Sequence, residues 1–211
     1  LFTGWVDVEL SEKGKAEAKR AGELMKEAGL DFDVCYTSYL KRAINTQQIA
    51  LKVMEREWLP VIKSWRLNER HYGALSGLNK KETAEKYGDE QVHIWRRSFD
   101  VRPPQMEEDN PYSARKNPAY RNVPVEDVPM CESLKDTIAR TVPYFENEIK
   151  PLVMEGKRVF IAAHGNSLRS LIKYFENISD EDIINVEIPT GTPLVYEFDD
   201  DFKVTNKYYL K

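Results

Sequence analysis

Apolar positions in this chain follow two rhythms, one for strands and one for helices. Val159 to Ala163 is an unbroken apolar run, the pattern of a strand buried on both faces of a parallel sheet. It runs into His164-Gly165-Asn166-Ser167, and Leu168, Leu171, Ile172 and Phe175 then recur at i, i+3, i+4 and i+7, the spacing of a helix with one apolar face. Asn166 and Ser167 are the expected N-caps, and Gly165 gives the turn its freedom. His164 therefore falls at the carboxyl end of a strand beside a helix N-terminus, where open α/β sheets bind ligands and where phosphate is welcome.

The same change of rhythm recurs upstream. Val34-Cys35-Tyr36 reads as a strand, and Thr37-Ser38 as the cap of a helix over about 39–56 with Leu40, Ile44, Ile49 and Val53 inward. Val61 to Trp65 reads as a third strand. Ser11 caps a helix to about Ala28, with Ala21, Leu24, Met25 and Ala28 as its stripe and Gly29 as its stop. Further helices are predicted over 80–87, 90–98 and 132–149. The last carries Leu134, Ile138, Val142 and Phe145 in register, with a kink at Pro143. Ser179 begins a short helix through Val186, and Pro193 to Phe198 with Lys203 to Tyr209 forms a hairpin around Asp199-Asp200-Asp201. This alternation predicts an α/β fold, a three-layer α/β/α sandwich with a mostly parallel sheet and the hairpin as an antiparallel edge. One domain, 1–211, is expected. Prolines at 103, 104, 111, 118, 124 and 129 interrupt any period over about 99–131, so that stretch is expected to be a lid-like insertion, mobile without ligand.

Composition narrows the function. A net charge of −4 over 211 residues disfavours nucleic acid as a partner. No apolar run approaches the roughly 18 residues of a membrane span, and no secretory segment is present. Cys35 and Cys131 lack metal-type spacing and read as reduced thiols of a cytoplasmic protein. The three histidines show no paired spacing either, so no metal is expected.

Three strand-end segments, Tyr36–Arg42, Trp65–Gly73 and Ala163–Ser167, should converge and bring together Arg42, Glu69, Tyr72, His164 and Asn166. Lys80, Arg96 and Arg97 could close over them. Arg42 lies in the first turn of its helix, where a cation is mildly unfavourable, by about 0.3–1 kcal/mol, unless an anion sits in front of it. Such a cationic pocket suits phosphate, and its one carboxylate suits proton transfer. His164 fits a general acid, an electrostatic clamp or a phosphoryl acceptor. Each residue also has a plainer use: Glu69-Arg70 as a surface ion pair worth under about 1 kcal/mol, Arg96-Arg97 paired with Glu90 and Asp100, and the four tryptophans as packing. His71 and His93 receive no role.

Together these residues resemble the cofactor-dependent phosphoglycerate mutases of the histidine phosphatase superfamily. The matching stretches include Phe2-Thr3-Gly4-Trp5, Leu10 to Gly14, Tyr36 to Ala43, Leu67 to Gly73, Gly77 to Lys80, Glu82 to Gln91, Trp95-Arg96-Arg97, Ala162 to Arg169 and Ile188 to Tyr196. The resemblance spans essentially the whole chain. It implies interconversion of 3- and 2-phosphoglycerate through a phosphohistidine primed by 2,3-bisphosphoglycerate, without a metal. It implies Glu69 as proton donor and acceptor, and Arg42 with His164 as the clamp on the moving phosphoryl group. Thr3, Gly4, Tyr72, Lys80, Arg96, Arg97, Gly165 and Asn166 match the substrate-binding set. A homodimer or homotetramer is implied as well. The family's nucleophilic histidine lies in an Arg-His-Gly motif that this sequence, which opens at Leu1, does not contain. The motif and its strand are expected upstream, and a mobile tail after Lys211; the piece alone is expected to be inactive. Alternatives on the same scaffold are a bisphosphoglycerate mutase or phosphatase, or a non-catalytic phosphate-binding protein.

Overall fold

The computed structural model describes residues 1–211. Ser11 caps α1 (Glu12–Glu27) by accepting the Gly14 N–H at 3.0 Å, and Gly29 ends it in the left-handed region. β1 (Val34–Thr37) leads to α2 (Lys41–Val53), and β2 (Val61–Lys63) follows. α3 (Lys80–Tyr87) and α4 (Asp89–Arg97) come next, joined at Gly88. From 98 to 133 only short 3-10 turns occur. α5 (Leu134–Tyr144) carries Pro143 and passes into a π-turn over Phe145–Ile149 and then α6 (Lys150–Met154), so the expected kink takes the form of a π-bulge. β3 (Val159–Ala162), α7 (Gly165–Glu176) and α8 (Asp180–Ile183) precede the hairpin β4 (Leu194–Phe198) and β5 (Val204–Tyr209).

β1 is the central strand of a parallel sheet in the order β2-β1-β3, with Cys35 opposite both Val61 and Phe160. The pleat sends alternate residues to opposite layers. Cys35 and Phe160 meet Leu24 and Met25 of α1 and Ala50 and Leu51 of α2. Val34, Tyr36, Val159 and Ile161 meet Phe145, Ile149 and Leu171 on the other side. The result is the expected three-layer α/β/α arrangement.

Several local expectations are corrected. The hairpin does not extend the parallel sheet; it forms a separate two-stranded sheet that docks through the side chains of Val195, Tyr208 and Leu210. β3 has a strand partner on one side only, so Val159, Phe160 and Ile161 stay half-buried while β1 is buried throughout. Trp65 belongs to a 3-10 turn after β2. On α2 the buried positions are Ala43, Gln47, Ala50 and Leu51, not Ile44, Ile49 and Val53. Small residues face inward there because α1 packs closely: a Cβ on Gly22 would come within 2.7 Å of Ala50 O. On α1 itself Ala18 and Gly22 join Leu24 and Met25, while Ala28 is exposed. On α5 the buried face is Leu134, Thr137, Arg140 and Thr141 in place of Ile138 and Val142. Trp58, expected to pack, is 71% exposed.

Candidate active site

The carboxyl ends of β1 and β3 and the turn after β2 meet at one place, as the strand-end argument requires. α7 starts there. Its N-cap is His164 itself rather than Asn166 or Ser167, which fall inside the first turn. Ser167 Oγ accepts the His164 N–H at 3.2 Å, so the serine fixes the residue before the helix. Nor does Ser38 cap α2 in the expected way. The N-cap is Leu40, whose N–H goes to Ser38 Oγ at 3.1 Å, while Asp7 Oδ1 accepts the Lys41 N–H at 2.8 Å. Ser38 Oγ is thereby held where it shares a 2.8 Å hydrogen bond with His164 Nε2. Sequence reasoning placed Ser38 in a converging segment, three residues before α2, but gave it only a capping role.

His164 is 8% exposed. Burial, with the Arg42 and Arg140 guanidiniums nearby, holds its pKa well below the usual imidazole value. It is a neutral ring at neutral pH. Arg42 donates from Nη2 to Gly4 O at 2.7 Å and from Nη1 to Val6 O at 3.1 Å. The misfit expected of a cation at a helix start is thus met by two carbonyls of the 3–6 loop. That loop depends on Gly4, whose φ of +50° is left-handed and whose absent Cβ would lie 3.0 Å from Arg70 O. Thr3, half-buried, closes the same loop through its carbonyl, which accepts the Val6 N–H at 2.8 Å.

Glu69 ties the turn after β2 to α7. Its Oε1 accepts the backbone N–H groups of Arg70 at 2.9 Å and Asn166 at 3.0 Å. The second bond uses a free N–H at the helix N-terminus, where a carboxylate is favoured. Oε2 makes no hydrogen bond to protein and lies 3.8 Å from where a Cβ on the exposed Gly165 would stand. A Cβ at 165 would therefore only touch that oxygen in ordinary van der Waals contact. The Tyr72 hydroxyl has its pKa raised first by burial and then by the Glu69 carboxylate. Arg169 Nη1 donates to Asn166 Oδ1 at 2.9 Å.

Thr3, Gly4, Ser11, Arg42, Glu69, Tyr72 and Lys80 line a cleft of about 410 Å³. His164 is not in its lining. Lys80 also borders a neighbouring depression of about 580 Å³ that includes His93 and Arg96. The pKa of Lys80 is lowered by burial and by Arg96 and Arg97, which places three cations together at the rim. Arg96 and Arg97 are exposed at the end of α4 and make no ion pair with Glu90 or Asp100. The proposed Glu69-Arg70 surface pair does not form either. Arg70 is 1% exposed, donates to Glu132 O and Trp95 O, and its pKa is lowered by burial. His71 is fully buried against Trp5, with Nδ1 accepting the Gly73 N–H at 2.9 Å and its pKa pushed down to about 4 by burial. No cluster of three or more His, Cys, Asp or Glu side chains could hold a metal ion, and no helix is long and apolar enough to cross a membrane.

A cleft lined by Arg42, Lys80 and a carboxylate with one free oxygen, with Arg96 and Arg97 near Lys80 and a neutral imidazole buried close to Arg42, can bind a multiply charged phosphate ester and move a proton on it. Comparison with known proteins agrees. Residues 1–127 match the histidine phosphatase superfamily (branch 1). The chain is 64% identical to the 2,3-bisphosphoglycerate-dependent phosphoglycerate mutase of Treponema denticola, over 100% of this chain and 85% of that protein. It is 62% identical to the enzyme of the same name from Lachnoclostridium phytofermentans, over 100% of this chain and 84% of that protein. Among solved structures, the alpha-ribazole phosphatase from Shigella flexneri superposes with a TM-score of 0.71 at 16% identity, covering 100% of this chain and 88% of that one. A mycobacterial glucosyl-3-phosphoglycerate phosphatase gives 0.67 at 22% identity, covering 99% and 88%. At those identities the likeness is one of fold.

Proposed function

The chain belongs to the histidine phosphatase superfamily and, within it, to the 2,3-bisphosphoglycerate-dependent phosphoglycerate mutases, and from that premise we propose how its cleft works. The activity is the interconversion of 3-phosphoglycerate and 2-phosphoglycerate, a step of glycolysis and gluconeogenesis. 2,3-Bisphosphoglycerate is the donor that primes the enzyme.

Arg42 and His164 hold the phosphoryl group in transit. Arg42 is fixed by two carbonyls, and a neutral His164 is fixed by Ser38, so neither must reorganise as charge shifts in the transition state. Glu69 Oε2 takes the proton of the attacking substrate hydroxyl as the new O–P bond forms and the N–P bond to the phosphorylated imidazole breaks. In the reverse transfer it returns that proton to the leaving oxygen as the O–P bond breaks and the N–P bond re-forms. Lys80, Arg96 and Arg97 meet the carboxylate and the second phosphate, while Thr3, Gly4, Tyr72, Gly165 and Asn166 shape the floor. The cations supply the charge that a metal supplies elsewhere.

The phosphoryl acceptor is an imidazole outside this sequence, on a strand pairing with the free side of β3. Neither other histidine here serves, since His71 is buried with its Nδ1 committed and His93 opens on the neighbouring depression. The segment at 99–131 closes over the bound ester as a lid within the single domain. Ile62 on the edge strand β2 and Trp58 in the turn before it are exposed and support a homodimer or homotetramer. Free Cys35 and Cys131 are in keeping with a cytoplasmic setting.

The observation that carries this function is the joining of three strand ends by two contacts, Glu69 with Asn166 N and Ser38 with His164. Product analysis tests it. With 3-phosphoglycerate and primer, isomerisation should far exceed release of inorganic phosphate. Phosphate release as the main outcome would make the protein a phosphatase, and no turnover in the full-length protein would leave a phosphate-binding module.

A further inference from the structure

Arg140 on α5 and Glu132 just before it are 9% and 4% exposed. Arg140 donates from Nε to Glu132 Oε2 at 2.7 Å and from Nη2 to Oε1 at 2.9 Å. Its remaining N–H groups all go to one short stretch of backbone. Nη1 reaches Arg66 O at 2.9 Å and Asn68 O at 3.0 Å, and Nη2 reaches Glu69 O at 2.8 Å. A guanidinium has five N–H donors, and here all five are committed. Glu132 Oε1 also accepts the His71 N–H at 2.9 Å, so the pair grips the backbone on both sides of Glu69. Trp5 Nε1 bonds the same Glu69 carbonyl. Neither Arg140 nor Glu132 lines the cleft.

A buried ion pair is weak evidence of a stabilising role, because apolar residues of similar volume often serve as well. Apolar residues could not hold three carbonyls. We propose that the Glu132–Arg140 pair is a positioning device for Glu69, a fork that fixes the carbonyls of residues 66, 68 and 69 so that the carboxylate meets the substrate hydroxyl with Oε2. Oε1 stays on the N–H groups of Arg70 and Asn166 only while the Glu69 backbone keeps its place relative to α7. A shift of about 1 Å in such a group costs on the order of a hundredfold in rate. The inference rests on the proton-transfer role of Glu69.

Arg140→Lys keeps the charge but has three donors on one nitrogen and cannot span these partners. It is compared with the native enzyme and, separately, within a Glu69→Gln background, by kcat, KM for 3-phosphoglycerate and thermal unfolding of the full-length protein. The expected result is a fall of about 10- to 100-fold in kcat, with KM within about threefold and the variant folded at the assay temperature. In the Glu69→Gln background the same substitution should change the residual rate by less than about twofold, because the group it positions no longer acts. Equal losses in both backgrounds, with Glu69→Gln itself impaired, would overturn the positioning role and leave a structural one. Undiminished kcat for Glu69→Gln alone would instead overturn the proton-transfer role. Should Arg140→Lys fail to fold, Glu132→Gln, which keeps the shape and one acceptor oxygen, carries the same comparison with an expected loss of about 3- to 10-fold.

Discussion

Replacing His164 by alanine separates a working imidazole from a structural one. The ring is buried and makes one side-chain hydrogen bond, to Ser38 Oγ at 2.8 Å; the serine keeps its second partner, the Leu40 N–H at 3.1 Å. Stripping one partner from a buried hydroxyl costs about 1–3 kcal/mol, and the lost apolar area of the ring adds roughly 1 kcal/mol. A total of about 2–4 kcal/mol should lower Tm by roughly 5–15 °C in a chain of 211 residues. Domain stabilities run to about 5–15 kcal/mol, so the variant remains folded at 25 °C. Removing one preorganised group from a site of developing charge typically costs about 10²–10³ in rate. The two effects therefore come apart, because no loss of a hundredfold can arise from unfolding while nearly every molecule is folded. Mutase rate and circular dichroism on the same sample of the full-length protein at pH 7.5 decide the matter. A rate within about tenfold of native, or a rate that falls only in step with the folded fraction, would refute a catalytic His164.

Two further outcomes follow from burial and chain composition. His71, with its pKa lowered from 6.5 to about 4 by burial, and His164, whose pKa burial also holds well below 6.5, are both neutral in the folded protein. The unfolded chain takes up those protons first as pH drops below about 6.5, so the stability they confer is present above that value and lost below it. His71 alone should remove about 1.4 kcal/mol per pH unit, roughly 3 kcal/mol by pH 4; denaturant melts that are flat from pH 6.5 to 4.5 would contradict this. In the 99–131 segment, amide exchange should be fast in the free protein and slowed at least tenfold by 2,3-bisphosphoglycerate, whereas uniform protection without ligand would remove the lid.

Much of the fold was legible because period and punctuation agree. The bounds of α1 follow from Ser11 and Gly29, and the helix read over 80–87 is bounded in the structure by Asn79 and Gly88 in the same way. Less legible was which face of a helix turns inward when the neighbour is not an apolar layer. α5 buries Thr137, Arg140 and Thr141 because it lies against the carbonyl-rich turn at 66–69, and Thr141 Oγ1 donates to Arg66 O at 3.0 Å. A pattern search that weights apolar residues selects Ile138 and Val142 instead. Polar residues recurring at 133, 137, 140 and 141 were the overlooked signal, an inward polar stripe. The site itself was read well at the level of segments, since strand ends and helix starts declare themselves. Its supporting residues were not: Glu132 and Arg140 act through backbone atoms that no side-chain motif records, and Ser38, which bonds His164 Nε2, reads in the sequence only as a helix cap.

The central claim is that this cleft passes a phosphoryl group from a bisphosphorylated donor by way of an imidazole. Incubating the full-length protein with 2,3-bisphosphoglycerate labelled on phosphorus and trapping the products tests it most directly. An acid-labile, base-stable phosphoenzyme should form, and added 3-phosphoglycerate should discharge it with the label appearing in bisphosphoglycerate. Absence of any protein-bound label, with the cleft occupied by the donor, would contradict the account.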